Sequence, residues 1–159
     1  MSTIHLSTEI AAPVETVFDL SRSVDLHMIS TRHTNETVQA GKTSGLFVVG
    51  DRITWKAKHL GFYQLLTVEI VRCDFPSYFE DRMIKGAFKT FTHRHYFERQ
   101  QSTSVMKDIF EFESPLGMVG KIFNRAFLKS YMTMLLTKRN EVIKRYAESG
   151  EGERLLYNT

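Results

Sequence analysis

Apolar and polar residues alternate through the middle of the chain, from Ser77 to Ser114. In Ser77–Lys85 one face carries Phe79, Asp81 and Met83, and the other Tyr78, Glu80, Arg82 and Ile84. In Phe88–Arg99 the set Phe91, His93, His95 and Phe97 alternates with Thr92, Arg94, Tyr96 and Glu98. In Thr103–Glu113 the set Ser104, Met106, Asp108, Phe110 and Phe112 alternates with Val105, Lys107, Ile109 and Glu111. A period of two predicts half-buried antiparallel strands, and the short breaks at Gly86-Ala87 and Gln101-Ser102 predict hairpins. A turn at Gly86–Phe88 sets Asp81 opposite His93 and Glu80 opposite Arg94, a favourable charge pair. A turn at Gln101-Ser102 sets His95 opposite Asp108 and Phe97 opposite Met106. The alternative turn at Gln100-Gln101 sets His93 opposite Asp108 but places Arg94 against Lys107, two like charges. In either register, two imidazoles and two carboxylates share an otherwise apolar face.

Around this core, Thr3–Ala11 reads as a first strand. Pro13 and Glu15 open a helix whose buried side holds Val14, Val17 and Phe18. A second short helix is expected at about Ser23–Ile29. His33–Gln39 and Leu46–Leu60 follow as strands, the latter split at Gly50-Asp51. Gly61 turns the chain into Phe62–Arg72, so that Trp55 and His59 share a face with Phe62 and Leu66. After Pro115 the period becomes helical: Phe123, Phe127, Tyr131 and Met134 fall in a broad apolar stripe of one long helix, expected to run from about 119 to 146. Residues 1–147 read as a single domain and 148–159, with two glycines, as a flexible tail. The simplest packing curves the sheet around the terminal helix and leaves a space between them.

Composition narrows the class. At 159 residues, with 42% hydrophobic and 25% charged residues, the chain can bury a core of ordinary size. It contains no apolar run long enough to span a bilayer and no signal-peptide pattern at its start. The single cysteine, Cys73, precludes an internal disulfide framework and suits a reducing compartment. A cytoplasmic location is therefore expected. The net charge of +3 is concentrated late: 115–148 holds seven basic residues, among them Lys138, Arg139 and Lys144, against two acidic ones. This reads as a solvated helix face that could also meet a membrane or protein surface. Without interleaved aromatics it predicts no sequence-specific nucleic-acid binding.

The opening Ala-Pro-Val-Glu-Thr-Val-Phe (12–18), Asp51–His59 with Trp55-x-Ala57-x-His59, Phe79–Phe97 with Asp81, Gly86-x-Phe88 and His93-x-His95-x-Phe97, and Met106–Gly117 with Asp108 resemble the START-like, birch-pollen-allergen-like (SRPBCC) superfamily. More narrowly, they resemble an uncharacterised ligand-binding subfamily of it. The resemblance covers about residues 3–146. It implies an α+β helix-grip fold: a seven-stranded curved antiparallel sheet wrapped around a long C-terminal helix, with two short helices after strand 1 and a deep ligand cavity between.

In such a fold Trp55, Phe62, Phe79, Met83, Phe91, Phe97, Met106, Phe110, Phe123, Phe127, Tyr131 and Met134 would line the cavity, with His27 and Met28 at its rim. The alternative is that these side chains meet and fill it. His59, Asp81, His93, His95 and Asp108 admit three readings. They can form a satisfied polar network. They can recognise a ligand or move a proton, since a carboxylate behind an imidazole fixes its tautomer and raises its basicity. Or His59, His93 and His95 can bind a metal, although the carboxylates suit hydrogen-bond partners better, and neither a metal nor a cofactor is expected. The function expected first is binding of a hydrophobic or amphipathic small molecule, as carrier or sensor. A cofactor-independent cyclase, dehydratase or isomerase with His93 or His95 as base comes second, and a lipid-binding module at a membrane or protein surface third. Oligomeric state and ligand identity stay open.

Overall fold

The computed structural model describes residues 1–114 and 127–157. Strand β1 (Ser2–Ile10) leads into helices α1 (Val14–Ser21) and α2 (Val24–Ser30) and a single 3-10 turn at Arg32–Thr34. Strands β2 (Thr37–Gly41), β3 (Arg52–His59), β4 (Phe62–Asp74), β5 (Tyr78–Lys85), β6 (Thr90–Gln100) and β7 (Thr103–Glu113) follow. Helices α3 (Lys129–Ser149) and α4 (Glu151–Tyr157) end the described chain. The strands form one seven-stranded antiparallel sheet in the order β1-β7-β6-β5-β4-β3-β2. This is the helix-grip architecture expected from the sequence.

Register follows the cross-strand chemistry. Asp81 faces His93 and Glu80 faces Arg94 across β5–β6, while His95 faces Asp108 and Phe97 faces Met106 across β6–β7. The turn at Gln101-Ser102 is thus the one formed, and Arg94 is spared Lys107. Three boundaries differ from expectation. The second strand starts at Thr37, because Arg32–Thr34 coils and Asn35 turns left-handed (φ 51°). Residues 46–50 form only an isolated bridge, Ser23 to Leu46. The polar stretch from 148, read as a flexible tail, contains α4. Gly150 (φ 75°) ends α3 in the left-handed conformation that favours glycine, and the chain re-enters a helix whose Gly152 is buried against α1.

Two apolar clusters fill the space between sheet and helices. One joins α1 to the far ends of the central strands and to α3, with Phe18, Phe79, Phe97, Met106 and Ile143 at its heart. Phe18 meets Phe79 and Phe97 edge-on, and full burial of each such side chain contributes about 1.5–3 kcal/mol. The other joins α2 to the sheet, with Trp55, Ile70, Phe91, Phe110 and Leu136. The first is closed. The second surrounds open space.

Candidate functional site

That space is an internal cavity of about 180 Å³ bounded by strands β3–β7, the segment from α2 to β2, and α3. A smaller space of about 100 Å³ adjoins it, between the β3–β4 hairpin, the β5–β6 turn and α3. The main cavity is walled by Trp55, Phe79, Phe91 and Phe110 and carries a polar cluster on its floor.

The cluster comes from three adjacent strands. His93 and Asp81 face one another, as do His95 and Asp108, yet the hydrogen bonds run diagonally. His93 Nε2 lies 3.0 Å from Asp108 Oδ1 and His95 Nε2 lies 3.0 Å from Asp81 Oδ1. The two imidazoles lean together, centroids 3.8 Å apart. Phe79 stacks on His95 at 3.9 Å, and Phe110 sits edge-on to His93 at 5.2 Å. Each Nε2 faces a carboxylate oxygen, so each carries the proton it donates. Neutral His93 therefore keeps a lone pair on Nδ1. That atom stands 4.0 Å from Asp81 Oδ1 and has no hydrogen-bond partner among the described residues. His95 Nδ1 comes within 2.9 Å of Asp108 Oδ1 without the direction a hydrogen bond needs, a buried nitrogen without a hydrogen bond.

Helix α3 completes the cluster from above. Asn140 Nδ2 donates to Asp108 Oδ2 at 2.6 Å. Arg139 Nη1 lies 3.6 Å from Asp108 Oδ1 and donates to Asn140 Oδ1, while its Nη2 donates to the carbonyl of Ser21. Burial alone would raise the Asp108 carboxyl. The hydrogen bond from His93 and the close approach of both imidazoles outweigh it and hold the group well below the usual carboxylate range. Asp81 is lowered by the same balance: burial raises it, and His95 and His93 lower it further. His93 is pushed down to about 4, first by burial and then by its neighbour His95.

The mouth holds a second polar group. His27 stacks on Trp55 at 4.2 Å and pairs with Glu36, Nε2 to Oε1 at 3.1 Å. Burial raises the Glu36 carboxyl, but His27 lowers it more, by charge and hydrogen bond. His59 Nδ1 lies 2.9 Å from the Tyr131 hydroxyl, and burial lowers the His59 imidazole.

Of the residues expected at the site, His27, Trp55, His59, Phe79 and Asp81 line the main cavity, as do Phe91, His93, His95 and Phe110. Asp108 stands directly behind the imidazoles, and Tyr131 lines the adjoining space. Met83 packs on the core beside them, and Met28 packs on it from α2. Phe97 and Met106 point inward as predicted, but α1 covers that end of the sheet and makes them closed core. Phe62 also has inward parity, but it stands at the tip of the β3–β4 hairpin and is 75% exposed. Phe127 and Met134 are 46% and 44% exposed. The inward row of α3 runs instead through Leu128, Met132, Leu135, Leu136 and Arg139, a fraction of a turn from the predicted stripe. Phe123 lies outside the described residues. Glu36, Arg139 and Asn140 were not expected at the site. Arg139 was read as solvated outer face, and extending the helical period from Met132 and Leu136 would have brought it inward.

The alternative set weighed for a metal, His59 with His93 and His95, is not brought together. Asp81, His93 and His95 do place one donor atom each within 4.8 Å of one another, a spacing a divalent ion could bridge. The pairing of His95 with Asp81 and of His93 with Asp108 accounts for that geometry by hydrogen bonds alone.

Sheet, gripping helix and the cavity between them make a helix-grip fold, and solved structures share that fold. A START superfamily protein from Mycobacterium smegmatis matches at TM-score 0.69 and 10% identity, covering 92% of this chain and 97% of its own. A protein from Thermus thermophilus matches at TM-score 0.69 and 14% identity, covering 89% and 97%. Major latex-like protein 151 of Panax ginseng matches at TM-score 0.66 and 13% identity, covering 92% and 97%. No protein-family model matches the sequence, and no curated protein does.

Proposed function

We propose that the chain binds a hydrophobic or amphipathic small molecule in this cavity, as a carrier or sensor. The observation that carries the reading is the pairing of an aromatic, internal space of about 180 Å³ with one compact polar cluster on its floor. Apolar walls supply affinity, and a few fixed polar groups supply orientation. The wider likeness to START-like structures supports it at the level of fold. Native mass spectrometry of gently purified protein should show a bound small molecule that is released on denaturation. A bare chain whose melting temperature no amphiphile raises would end the reading.

Catalysis is the second reading, and the Asp108–His93 pair is the observation that favours it. A carboxylate behind an imidazole is the arrangement of a general base. The magnitude weighs against it: an imidazole held near 4 is a weak base at neutral pH. His93→Gln separates the two, since an isomerase or dehydratase would lose turnover with binding retained, whereas a binder would lose affinity. Action at a membrane surface is the third. No described helix is long and apolar enough to cross a membrane, and a peripheral role would rest on the outer lysines of α3.

A further inference from the structure

We propose that the cavity selects for a polar end that donates hydrogen bonds, an alcohol, phenol or amine on an apolar body, and rejects carboxylates. This rests on the small-molecule reading above and refines its ligand class.

The cavity is rich in acceptors and poor in free donors. On its floor stand Asp81, whose side chain is 16% exposed, and His93, whose Nδ1 has no hydrogen-bond partner among the described residues. Asp108 lies just behind them, and Glu36 sits at the mouth. Each of these carboxylates keeps a donor of its own, from His95, from His93 and Asn140, and from His27, which is how buried charge is kept ionised. Among the described lining residues the one guanidinium or ammonium group is that of Arg139. It is committed: Nη1 serves Asn140 and lies near Asp108, and Nη2 serves the Ser21 carbonyl. Of the three imidazoles at the mouth, His27 is held by Glu36 and His59 by Tyr131, while His33 stands near His59 at the outer edge, away from the floor cluster. An entering carboxylate would meet like charge in a weakly screened interior with no unspent guanidinium or ammonium group to receive it. A hydroxyl or amine would find open acceptors in Asp81 and His93.

Trp55 is the only tryptophan of the chain, is 4% exposed and lines the cavity, so its emission reports occupancy directly. The test titrates the full chain with 1-octanol, octylamine and octanoate at pH 7.5, following Trp55 emission and thermal melting. Octanol and octylamine should bind at least about tenfold more tightly than octanoate, a difference of about 1.4 kcal/mol. Asp81→Asn keeps an acceptor oxygen for His95 Nε2 while removing a charge, and should shrink that gap to about threefold or less. If the variant does not fold, the ranking in the unaltered chain decides alone. Octanoate binding as tightly as octanol would overturn the head-group inference and leave the cavity reading standing. Failure of all three to move either signal would remove the cavity reading and this inference with it.

Discussion

His93 is neutral in the folded protein because burial and the adjacent ring oppose a charge there, and this has a signed consequence for stability. Its folded value of about 4 lies below its ordinary 6.5, so the unfolded chain binds more protons between those two values. The associated stability is fully present above pH 6.5 and is lost as pH falls toward 4, on the order of 3 kcal/mol over that window. Below it, the lowered carboxyls of Asp81 and Asp108 withdraw theirs. Urea denaturation from pH 7 to 4.5 should show this decline, and His93→Gln should flatten it. An unchanged midpoint for the natural chain across that range would contradict the assignment. The site was largely legible at this scale because face parity survives small errors in register: Asp81, His93, His95 and Asp108 had to share a face. The diagonal pairing was not legible, because it depends on rotamers and on two neighbours, Arg139 and Asn140, that only the docking of α3 brings near.

Strand pairing was readable because each hairpin carried its own charge or size check, Glu80 on Arg94 and Phe97 on Met106. The phase of α3 was harder to read. Its apolar residues are broad enough in distribution that a stripe through Phe127 and Met134 fitted as well as the true one through Met132 and Leu136, and only contact with the sheet decides between them. The terminal helix α4 was missed for a related reason: glycines at 150 and 152 read as breakers, yet Gly152 serves close packing. A Cβ there would lie 2.6 Å from Leu20 Cδ1 and 2.9 Å from the carbonyl of Tyr146. Gly152→Ala should therefore destabilise the protein by about 1–3 kcal/mol, despite alanine's better helix propensity. A flexible tail would make the substitution neutral, so a urea midpoint settles the matter.

Seen as one molecule, the chain has a packed end and a hollow end. Phe18, Met106 and Ile143 are nearly inaccessible, whereas the β3–β4 hairpin carries Leu60, Phe62 and Tyr63 exposed at its tip. Hydrogen exchange should follow this division, with amides around Met106 in β7 outlasting those of the hairpin. Equal rates at both would mean that the two ends unfold as one. Where they do not, the division separates two kinds of change over evolutionary time. Residues around Phe18 carry the fold's stability and tolerate little. Wall positions such as Phe91 and Val68 border open space, where a larger or smaller side chain reshapes a void instead of breaking a packed contact. A lineage with this scaffold can thus change the size and shape of the void by small steps in the walls, with the protein remaining folded at every step.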